Sequence, residues 1–382
     1  MKRIYLDNAA TTKVADEAVE AMLPYFSKGF GNPSSLHFFG QEAKEALERS
    51  RETIAKRLNA KASEVLFMSG GTEANNLAIK GAAFGNCGKG KHIITTSIEH
   101  GSILNPCRWL EKQGFEVTYL DVDEHGLVDP GRVGEAIRKD TTLITIGHAN
   151  NEIGTIQDIS EIGRIARQRG VIFHTDACQS FTKTELDVKG MNVDMVTVNA
   201  HKINGPKGIG ALAVRTGVKI EPQNVGGEQE HRIRSGTENI PGVVGFAKAV
   251  EISGDKEVRH MLGLRDKLIK GVKDNIDEAR LNGHPSKRLC NNANFTFKGI
   301  EGESLLLRLD ARGIACSTGS ACSSQSLEPS HVLMALGLKP EEAHGSLRMT
   351  LGRYNTEEDV TSTVEALGED VLSLRKISPS WR

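Results

Sequence analysis

Short apolar runs alternate with longer amphipathic runs through the middle of the chain. Most positions in the short runs are apolar, which is typical of strands covered on both faces of a sheet. We therefore predict a series of buried strands in this region. Their ranges are Val65–Ser69, His92–Ser97, Glu116–Leu120, Leu143–Gly147, Val171–Thr175, Met195–Val198 and Ala211–Val214.

The amphipathic runs have the spacing of helices and lie before or between these strands. They cover Gln41–Leu58, Glu73–Ala82, Ile103–Lys112 and Ile159–Arg169. Strands that alternate with helices indicate a mostly parallel sheet in an α/β lobe. A sheet of this kind binds its ligands at the carboxyl ends of its strands.

The pattern changes after about Val250, where helices and a strand are mixed without regular alternation. The predicted elements are a helix over Glu257–Ile276, a strand over Ala293–Phe297, a helix over Glu303–Ala311, a Ser/Gly-rich loop over Cys316–Ser326, and helices near Ser330–Leu336 and Glu357–Leu374. This mixture predicts a smaller α+β lobe. The polar, glycine-rich stretch Gly226–Gly236 is a long connection, and such connections are often functional.

The length of 382 residues favours two domains, because single cores stop growing at roughly 250–300 residues. We predict a large domain over residues 13–252. Residues 1–12 and 253–382 are predicted to form the small domain.

Charge and cysteine usage exclude several classes of protein. The 48 Lys and Arg residues nearly balance the 49 Asp and Glu residues, so no overall field favours a nucleic acid or a membrane surface. No apolar run approaches the roughly 20 residues that span a bilayer, and no apolar segment follows the charged N-terminus. We therefore expect a cytoplasmic protein whose six cysteines are free thiols, without a zinc-binding pattern.

Polar side chains follow the predicted strands at the same end of the sheet. Each alone has an ordinary structural explanation: a helix cap, a satisfied histidine or a solvated lysine. Together they match what a pyridine-aldehyde cofactor needs. The segments are Gly70-Gly71-Thr72, Glu99-His100, His148–Glu152, Asp176 with Gln179, and Asn199–Lys202 followed by Gly205–Gly208.

Such a cofactor requires a lysine for its aldehyde, a carboxylate beside its ring nitrogen, a phosphate site and a flat group against the ring. Lys202 and Asp176 fit the first two requirements. Gly71 and Thr72 at a helix start fit the phosphate, and His100 fits the ring. Lys207 is the rival of Lys202, and it ranks lower because it lies inside a Gly-Pro-Lys-Gly turn, further from the strand end.

Ten motifs carry a resemblance to a known family. They are YLDNAATT (5–12), GNPSSLH (31–37), SGGTEANNLAIKG (69–81), EH (99–100), NNEIGTIQ (150–157), DACQS (176–180), HKINGPKGIGAL (201–212), RSGTEN (234–239), GSACSS (319–324) and LRMTLGRY (347–354). The chain resembles the cysteine desulfurases, most closely the branch that serves iron–sulfur cluster assembly. The resemblance implies a fold-type I pyridoxal 5'-phosphate (PLP) enzyme.

The resemblance also implies a role for individual residues. Lys202 would bind PLP as a Schiff base and move protons, His100 would stack on the ring and move protons, and Cys322 would be the sulfur-accepting nucleophile. Asn32 and Arg353 would bind the substrate carboxylate, and Thr237 would reach the phosphate of the neighbouring subunit. The other expected cofactor-binding residues are Gly71, Thr72, Asn151, Asp176, Gln179, Asn199, Ala200 and His201.

The activity implied is the conversion of L-cysteine to L-alanine, with a persulfide on Cys322 passed to an acceptor such as an iron–sulfur scaffold protein. A homodimer is expected. The family usually has Ser at position 199, and Asn199 can still donate through its amide. Relatives often carry a further C-terminal tail that helps scaffold docking, so docking is expected to differ here.

Two alternatives stay open at the level of sequence. One is a selenocysteine lyase or an aminotransferase on the same fold. The other is a low-turnover partner in which Cys322 becomes a ligand of a transient [2Fe–2S] cluster on a scaffold protein. Of the remaining thiols, Cys316 is interpreted as a spectator and Cys178 as a small buried packing residue.

Overall fold

The computed structural model of the protein describes residues 2–318, 328–379 and 381. The central feature is a seven-stranded sheet with the order β2-β8-β7-β6-β5-β3-β4. Only β8 runs antiparallel to its neighbours. Its strands are β2 (Val65–Met68), β3 (His92–Thr96), β4 (Glu116–Leu120), β5 (Thr141–Thr145), β6 (Ile172–Asp176), β7 (Met195–Asn199) and β8 (Gly210–Val214).

Helices cover both faces of this sheet because successive strand residues point to opposite sides. In β2, Val65 and Phe67 enter one hydrophobic cluster, and Leu66 and Met68 enter another. The helices of this part are α1 (Asp16–Met22), α2 (Pro24–Ser27), α3 (Phe38–Leu58), α4 (Gly71–Asn76), α5 (Ala82–Gly85), α6 (Gly101–Glu111), α7 (Pro130–Ala136), α8 (Ile159–Arg169) and α9 (Ile240–Ile252).

A separate hydrophobic cluster lies in the C-terminal part, and it includes Ile4 of the first strand of the chain. Its sheet has the order β12-β10-β9, and β1 pairs in parallel with β11. The strands are β1 (Ile4–Tyr5), β9 (Ala279–Leu281), β10 (Asn292–Phe297), β11 (Ile314–Ala315) and β12 (Ser346–Thr350). The helices are α10 (Asp255–Asn275), α11 (Gly302–Ala311), α12 (His331–Ala335), α13 (Pro340–His344) and α14 (Glu357–Ile377).

The predicted α/β architecture with a mostly parallel sheet is confirmed, with shifts at the ends of elements. The strand predicted over Leu143–Gly147 lies two residues earlier, at β5. It stops short of Gly147 because the Gly147 N–H donates to the Glu99 carboxylate, at 3.0 and 3.1 Å, instead of to a strand. The helix predicted over Glu73–Ala82 is divided by a π-helical turn at Leu77–Gly81, between α4 and α5.

No helix in the described ranges is both long enough and apolar enough to cross a bilayer. This finding agrees with the absence of a long apolar run in the sequence.

A buried ion pair anchors the glycine-rich connection before α9. Glu230 has a positive φ of 42°, and its carboxylate accepts from both terminal nitrogens of Arg51 on α3, at 2.7 and 2.9 Å. The same carboxylate accepts the Phe67 N–H of β2 at 2.8 Å. Both charged side chains are at most 4% exposed, so each depends on the other for compensation.

We predict that Glu230→Gln lowers the free energy of unfolding by up to about 3–5 kcal/mol, because it leaves the buried Arg51 guanidinium with only the half-exposed Glu48 carboxylate, 3.3 Å away, as a counter-charge. Urea denaturation followed by circular dichroism measures this change. Glu228→Gln on the same connection is the matched control, since its pair with Arg232 is exposed and should contribute little. Equal stabilities for the two variants would contradict the anchoring role of Glu230.

Candidate active site

One cavity of about 620 Å³ lies at the carboxyl ends of the parallel strands. It brings together side chains that are more than 100 residues apart in sequence, because each follows a different strand of one sheet. Of the residues predicted for the site, those that line the cavity are Gly71, Thr72, His100, Asn151, Asp176, Gln179, Asn199, His201 and Lys202.

Asp176 ends β6, and it is half-buried in the cavity wall. Burial alone would raise its pKa, but hydrogen bonds outweigh burial, and its pKa lies below the usual value. The donors are the Cys178 N–H at 2.8 Å and the Asn75 amide at 2.7 Å. The carboxylate therefore stays charged inside the cavity and can hold a protonated ring nitrogen.

Lys202 follows β7 in the turn that the sequence predicted, and it is half-buried in the cavity wall. Lys207, its rival, is exposed and does not line the cavity. The backbone carbonyl of Lys202 accepts from the buried Lys183 ammonium at 3.0 Å, and that ammonium also binds the Gln179 carbonyl at 3.1 Å. Lys183 thus ties the turn after β7 to the turn after β6.

The cavity is narrow at Gly71, one of the two residues predicted to hold a phosphate. A Cβ atom there would come within 2.6 Å of the Cys178 sulfur, so only glycine permits this close packing. Burial raises the pKa of the Cys178 thiol far above its usual value. This agrees with the interpretation of Cys178 as a packing residue, although it also lines the cavity.

The Asn199 side chain in the same part of the cavity is buried, and its Oδ1 has no hydrogen-bond partner among the described residues. A buried amide oxygen without a partner is costly, and only a bound group that donates a hydrogen bond to it would remove the cost. The neighbouring His201 keeps a neutral ring, since burial and the nearby lysines lower its pKa to about 4. Its Nδ1 lies 3.2 Å from the Thr11 hydroxyl.

Four predicted residues lie outside this cavity. Ala200 is fully buried beside it. Asn32 and Thr237 are exposed, as expected of Thr237 if it serves a neighbouring subunit. The Arg353 guanidinium instead binds the Glu257 carboxylate at 2.8 Å and the Ile252 carbonyl at 3.0 Å. Within one chain, Asn32 and Arg353 therefore do not form the predicted carboxylate clamp.

Cys322, the predicted nucleophile, lies outside the described residues, and its role stays a prediction. The described residues on either side of it lie near the cavity. Ser317 exchanges two backbone hydrogen bonds with Arg348. Ser330 donates to the Glu152 carboxylate, and the side chains of both residues line the cavity.

Sequence reasoning missed several polar residues of the cavity wall. Arg348 is 2% exposed, and it donates to the Asn151 carbonyl at 3.0 Å and to Asp7 at 2.9 Å. It lies in the motif LRMTLGRY, from which the resemblance selected Arg353 instead. Glu99 and Glu152 belong to segments that the sequence analysis placed at this edge without giving either carboxyl a role, and burial raises the pKa of each to about 7. The other missed wall residues are Asn75, Ser102, Ser330 and His331.

The described residues contain no group of three or more His, Cys, Asp or Glu side chains arranged to hold a metal ion.

The comparisons with known proteins agree with this fold. The sequence model of the family Aminotransferase class-V matches residues 4–362, and the chain belongs to this family. Within the family it belongs with the cysteine desulfurases. It is 55% identical to a protein of Methanosarcina thermophila named cysteine desulfurase IscS, over 99% of this chain and 94% of the relative.

Another relative and two solved structures are similar over nearly the whole chain. Cysteine desulfurase IscS 1 of Archaeoglobus fulgidus is 51% identical over 99% of both chains. A NifS-like protein is 37% identical with a TM-score of 0.91, covering 97% of this chain and 100% of that one. The structure titled SspA in complex with cysteine is 41% identical with a TM-score of 0.84, covering 93% and 100%.

The core beneath the site contains a histidine that stays neutral. His174 lies two residues before Asp176 on β6, fully buried between the hydroxyls of Thr145 at 2.8 Å and Thr197 at 3.0 Å. Burial lowers its pKa from 6.5 to about 4. The unfolded chain therefore takes up a proton on this side chain at a higher pH than the folded protein does.

We predict that this difference in pKa makes the free energy of unfolding depend on pH. The contribution of His174 is fully present above pH 6.5 and is lost as the pH falls to about 4. It amounts to about 3 kcal/mol. In His174→Gln, the free energy of unfolding should fall less steeply across this range, as measured by denaturant titrations at several pH values. The exposed His344→Gln is the control and should keep the wild-type slope. An unchanged slope in His174→Gln would refute the prediction.

Proposed function

We propose that the chain is a PLP-dependent enzyme that converts L-cysteine to L-alanine and passes the sulfur on through Cys322. The observation that carries this proposal is the single cavity in which the ends of β6 and β7 place Asp176 and Lys202. The chain's membership of the cysteine desulfurases supports the choice of substrate.

The residues of the cavity fit PLP in charge and in shape. An amine, an ionised carboxylate, a flat imidazole and a pocket narrowed at a glycine are the groups that this cofactor uses. We assign the phosphate to Gly71, Thr72, Asn199 and His201, with the backbone at Ala200. Asn151 would contact the ring and Gln179 its hydroxyl group.

When bound, PLP supplies an electron sink for the pair of electrons that remains when the α-proton of cysteine leaves. Lys202 would hold the cofactor's aldehyde covalently. Once cysteine has displaced it, its neutral Nζ would take the α-proton. Asp176 would keep the ring nitrogen protonated, because its carboxylate stays charged in the cavity.

Cys322 would act as a thiolate on the sulfur of the substrate. A sulfur–sulfur bond forms and the carbon–sulfur bond breaks, with its electron pair going to carbon. That carbon takes a proton and becomes the methyl group of alanine. The sulfur stays on Cys322 as a persulfide for transfer to an acceptor, which we propose is an iron–sulfur scaffold protein.

For the substrate carboxylate, we propose Arg348 in place of Arg353. The Arg348 side chain lines the cavity, and its Nε has no partner among the described residues. The planar guanidinium suits a carboxylate, which it can bind through two nitrogens. Asn32 keeps a proposed role only through a second subunit, since it lies outside this cavity.

We predict that Cys322→Ser lowers the rate of alanine formation at least about 100-fold, because a hydroxyl cannot replace a thiolate as the nucleophile. Alanine and sulfide released under reductant are measured together, with the visible absorption of the loaded protein as a check on cofactor binding. Cys316→Ser is the matched control. Burial raises the pKa of the Cys316 thiol to about 12, so it stays protonated.

Retained turnover in Cys322→Ser would refute the role of Cys322. Faster reaction with selenocysteine would favour a lyase for selenium, and turnover that depends on a 2-oxoacid would favour an aminotransferase. Slow turnover with a coloured iron complex on a scaffold protein would favour the alternative in which Cys322 ligates a transient [2Fe–2S] cluster.

We also propose a homodimer, supported by an exposed apolar surface on one segment. Leu36 is 92% exposed, and Phe26, Phe30 and Phe38 are each about 65% exposed. The Phe30 and Phe38 rings pack on Phe39, with centroids 5.1 and 4.1 Å away. Exposed large apolar side chains clustered on one segment typically mark an interface. A second copy would cover it and would bring Thr237 to the neighbouring phosphate site.

We predict that Leu36→Asp combined with Phe38→Asp converts the dimer to a monomer, because the two carboxylates would be buried at the interface. Light scattering after size-exclusion chromatography gives the molar mass. Leu307→Asp changes an exposed leucine of α11 and is the control. A wild-type chain that is monomeric, or a double variant that stays dimeric, would refute the proposal.

The predicted domain boundaries are carried forward as a proposal. We propose that residues 13–252 form the large domain and that residues 1–12 join residues 253–382 in the small one. Two facts support this division: β1 pairs with β11, and the Leu6 side chain belongs to the C-terminal hydrophobic cluster.

A further inference from the structure

His100 is both a wall residue of the cavity and the residue that caps α6. It precedes Gly101 in an extended conformation, and its side chain accepts the backbone N–H of Ser102. The distance from this nitrogen to the His100 Nδ1 is 3.1 Å, and the Ser102 hydroxyl oxygen lies 2.8 Å from the same Nδ1. The backbone N–H and the hydroxyl of Ser102 therefore both contact the His100 Nδ1.

The backbone contact determines which ring nitrogen carries the proton. A backbone N–H can only donate, so Nδ1 must present its lone pair to Ser102. A neutral imidazole has one proton, which then lies on Nε2. A charged ring would place a proton on Nδ1 against this N–H, and it would also meet the positive end of α6.

Asn75 determines the direction of the hydrogen bond between the Ser102 hydroxyl and His100. Asp176 is ionised and can only accept, so the Asn75 atom at 2.7 Å from its Oδ2 is the amide nitrogen. The same nitrogen lies 2.8 Å from the Ser102 Oγ, which accepts its second hydrogen. The hydrogen of the Ser102 hydroxyl is then available for the His100 Nδ1.

These contacts form one chain of hydrogen bonds with a single direction of donation away from Asn75. One branch ends at Asp176 and the other passes through Ser102 to His100. Asn75 is 0% exposed and Ser102 is 7% exposed, so water does not compete for these donors.

The surroundings of His100 shift its pKa in both directions. Burial lowers its pKa most, Asp176 raises it, and Lys202 and His331 lower it. His331 is itself tied to the site by its Nε2 contact with the Glu99 carbonyl at 3.0 Å. The balance agrees with an uncharged ring near neutral pH.

We propose that Ser102 and Asn75 are positioning residues that hold His100 neutral, with its proton on Nε2, so that the ring is a hydrogen-bond donor in the reaction and not a proton acceptor. The two contacts of Ser102 occupy the lone pair of Nδ1, and Nε2 already carries a hydrogen. Neither nitrogen can take a proton until this chain of hydrogen bonds breaks.

This inference deepens the proposed function, and only its consequence for the reaction rests on that function. If His100 does not accept protons, removal of the α-proton falls to Lys202 alone. The ring then contributes by stacking on the cofactor and by donating a hydrogen bond from Nε2. The sequence-based expectation that His100 moves protons stays a prediction, and this proposal limits it to donation from Nε2.

The test is nitrogen NMR of the cofactor-loaded protein labelled with ¹⁵N in its histidine rings. His100 is one of 12 histidines, and its resonances are identified as those missing from His100→Gln. We expect the chemical shifts of an unprotonated Nδ1 and a protonated Nε2 at pH 7.5. A proton on Nδ1, or a charged ring at this pH, would overturn the proposal without any variant of Ser102 or Asn75.

Variants of Ser102 separate positioning from a general structural role. In Ser102→Ala, the pH at which His100 becomes protonated should rise by about half a unit to one unit, the equivalent of one hydrogen bond. Ser102→Thr keeps the hydroxyl and should restore the wild-type midpoint. Asn75→Leu should shift the midpoint in the same direction by less, because the Ser102 hydroxyl remains and only the group that orients it is lost.

Two outcomes would overturn the proposal and leave Ser102 with a structural role only. One is an unchanged protonation midpoint of His100 in Ser102→Ala, and the other is a shifted midpoint that Ser102→Thr does not return to the wild-type value. These resonances are recorded without substrate, so they do not depend on desulfurase activity. A protein with the expected tautomer but no alanine formation would refute the proposed function and leave this inference standing.

Discussion

The site depends on one negative charge in the wall of the cavity, the half-buried Asp176 carboxylate at the end of β6. A lone carboxylate in such a place would take up a proton, but two donors hold its oxygen atoms and keep it ionised. One donor is the backbone at Cys178, and the other is the side chain of Asn75. The charge in turn orients the Asn75 amide, from which the directions of the neighbouring hydrogen bonds follow.

The parallel sheet explains why so many functional groups converge around that charge. Each strand contributes the residues that follow it, and the N-terminal segment closes one side through the Ala9 carbonyl, which accepts from Gln179 at 3.0 Å. The β1 strand of this segment pairs with β11 of the C-terminal core, and Ala9 of the same segment lines the cavity. Movement of one core relative to the other would therefore alter the cavity itself.

The order of strands and helices could be predicted from the sequence, because both faces of the sheet are covered and the apolar runs are clear. Helix α9 was missed, since it is apolar on most sides and shows little periodicity. The residues directly after strands were found by position. Arg348, Asn75 and Ser102 were not, because their place in the cavity depends on strand pairing and helix packing that no local pattern encodes.

The anchor at Glu230 has a consequence for assembly. The connection over 226–236 is held to α3 and β2 from inside a single chain, so its shape does not depend on a second copy. In the proposed homodimer, association would not have to order this segment, and the entropic cost of dimerisation would be smaller. Because the Arg51–Glu230 pair is buried, ionic strength should have little influence on the shape of this connection.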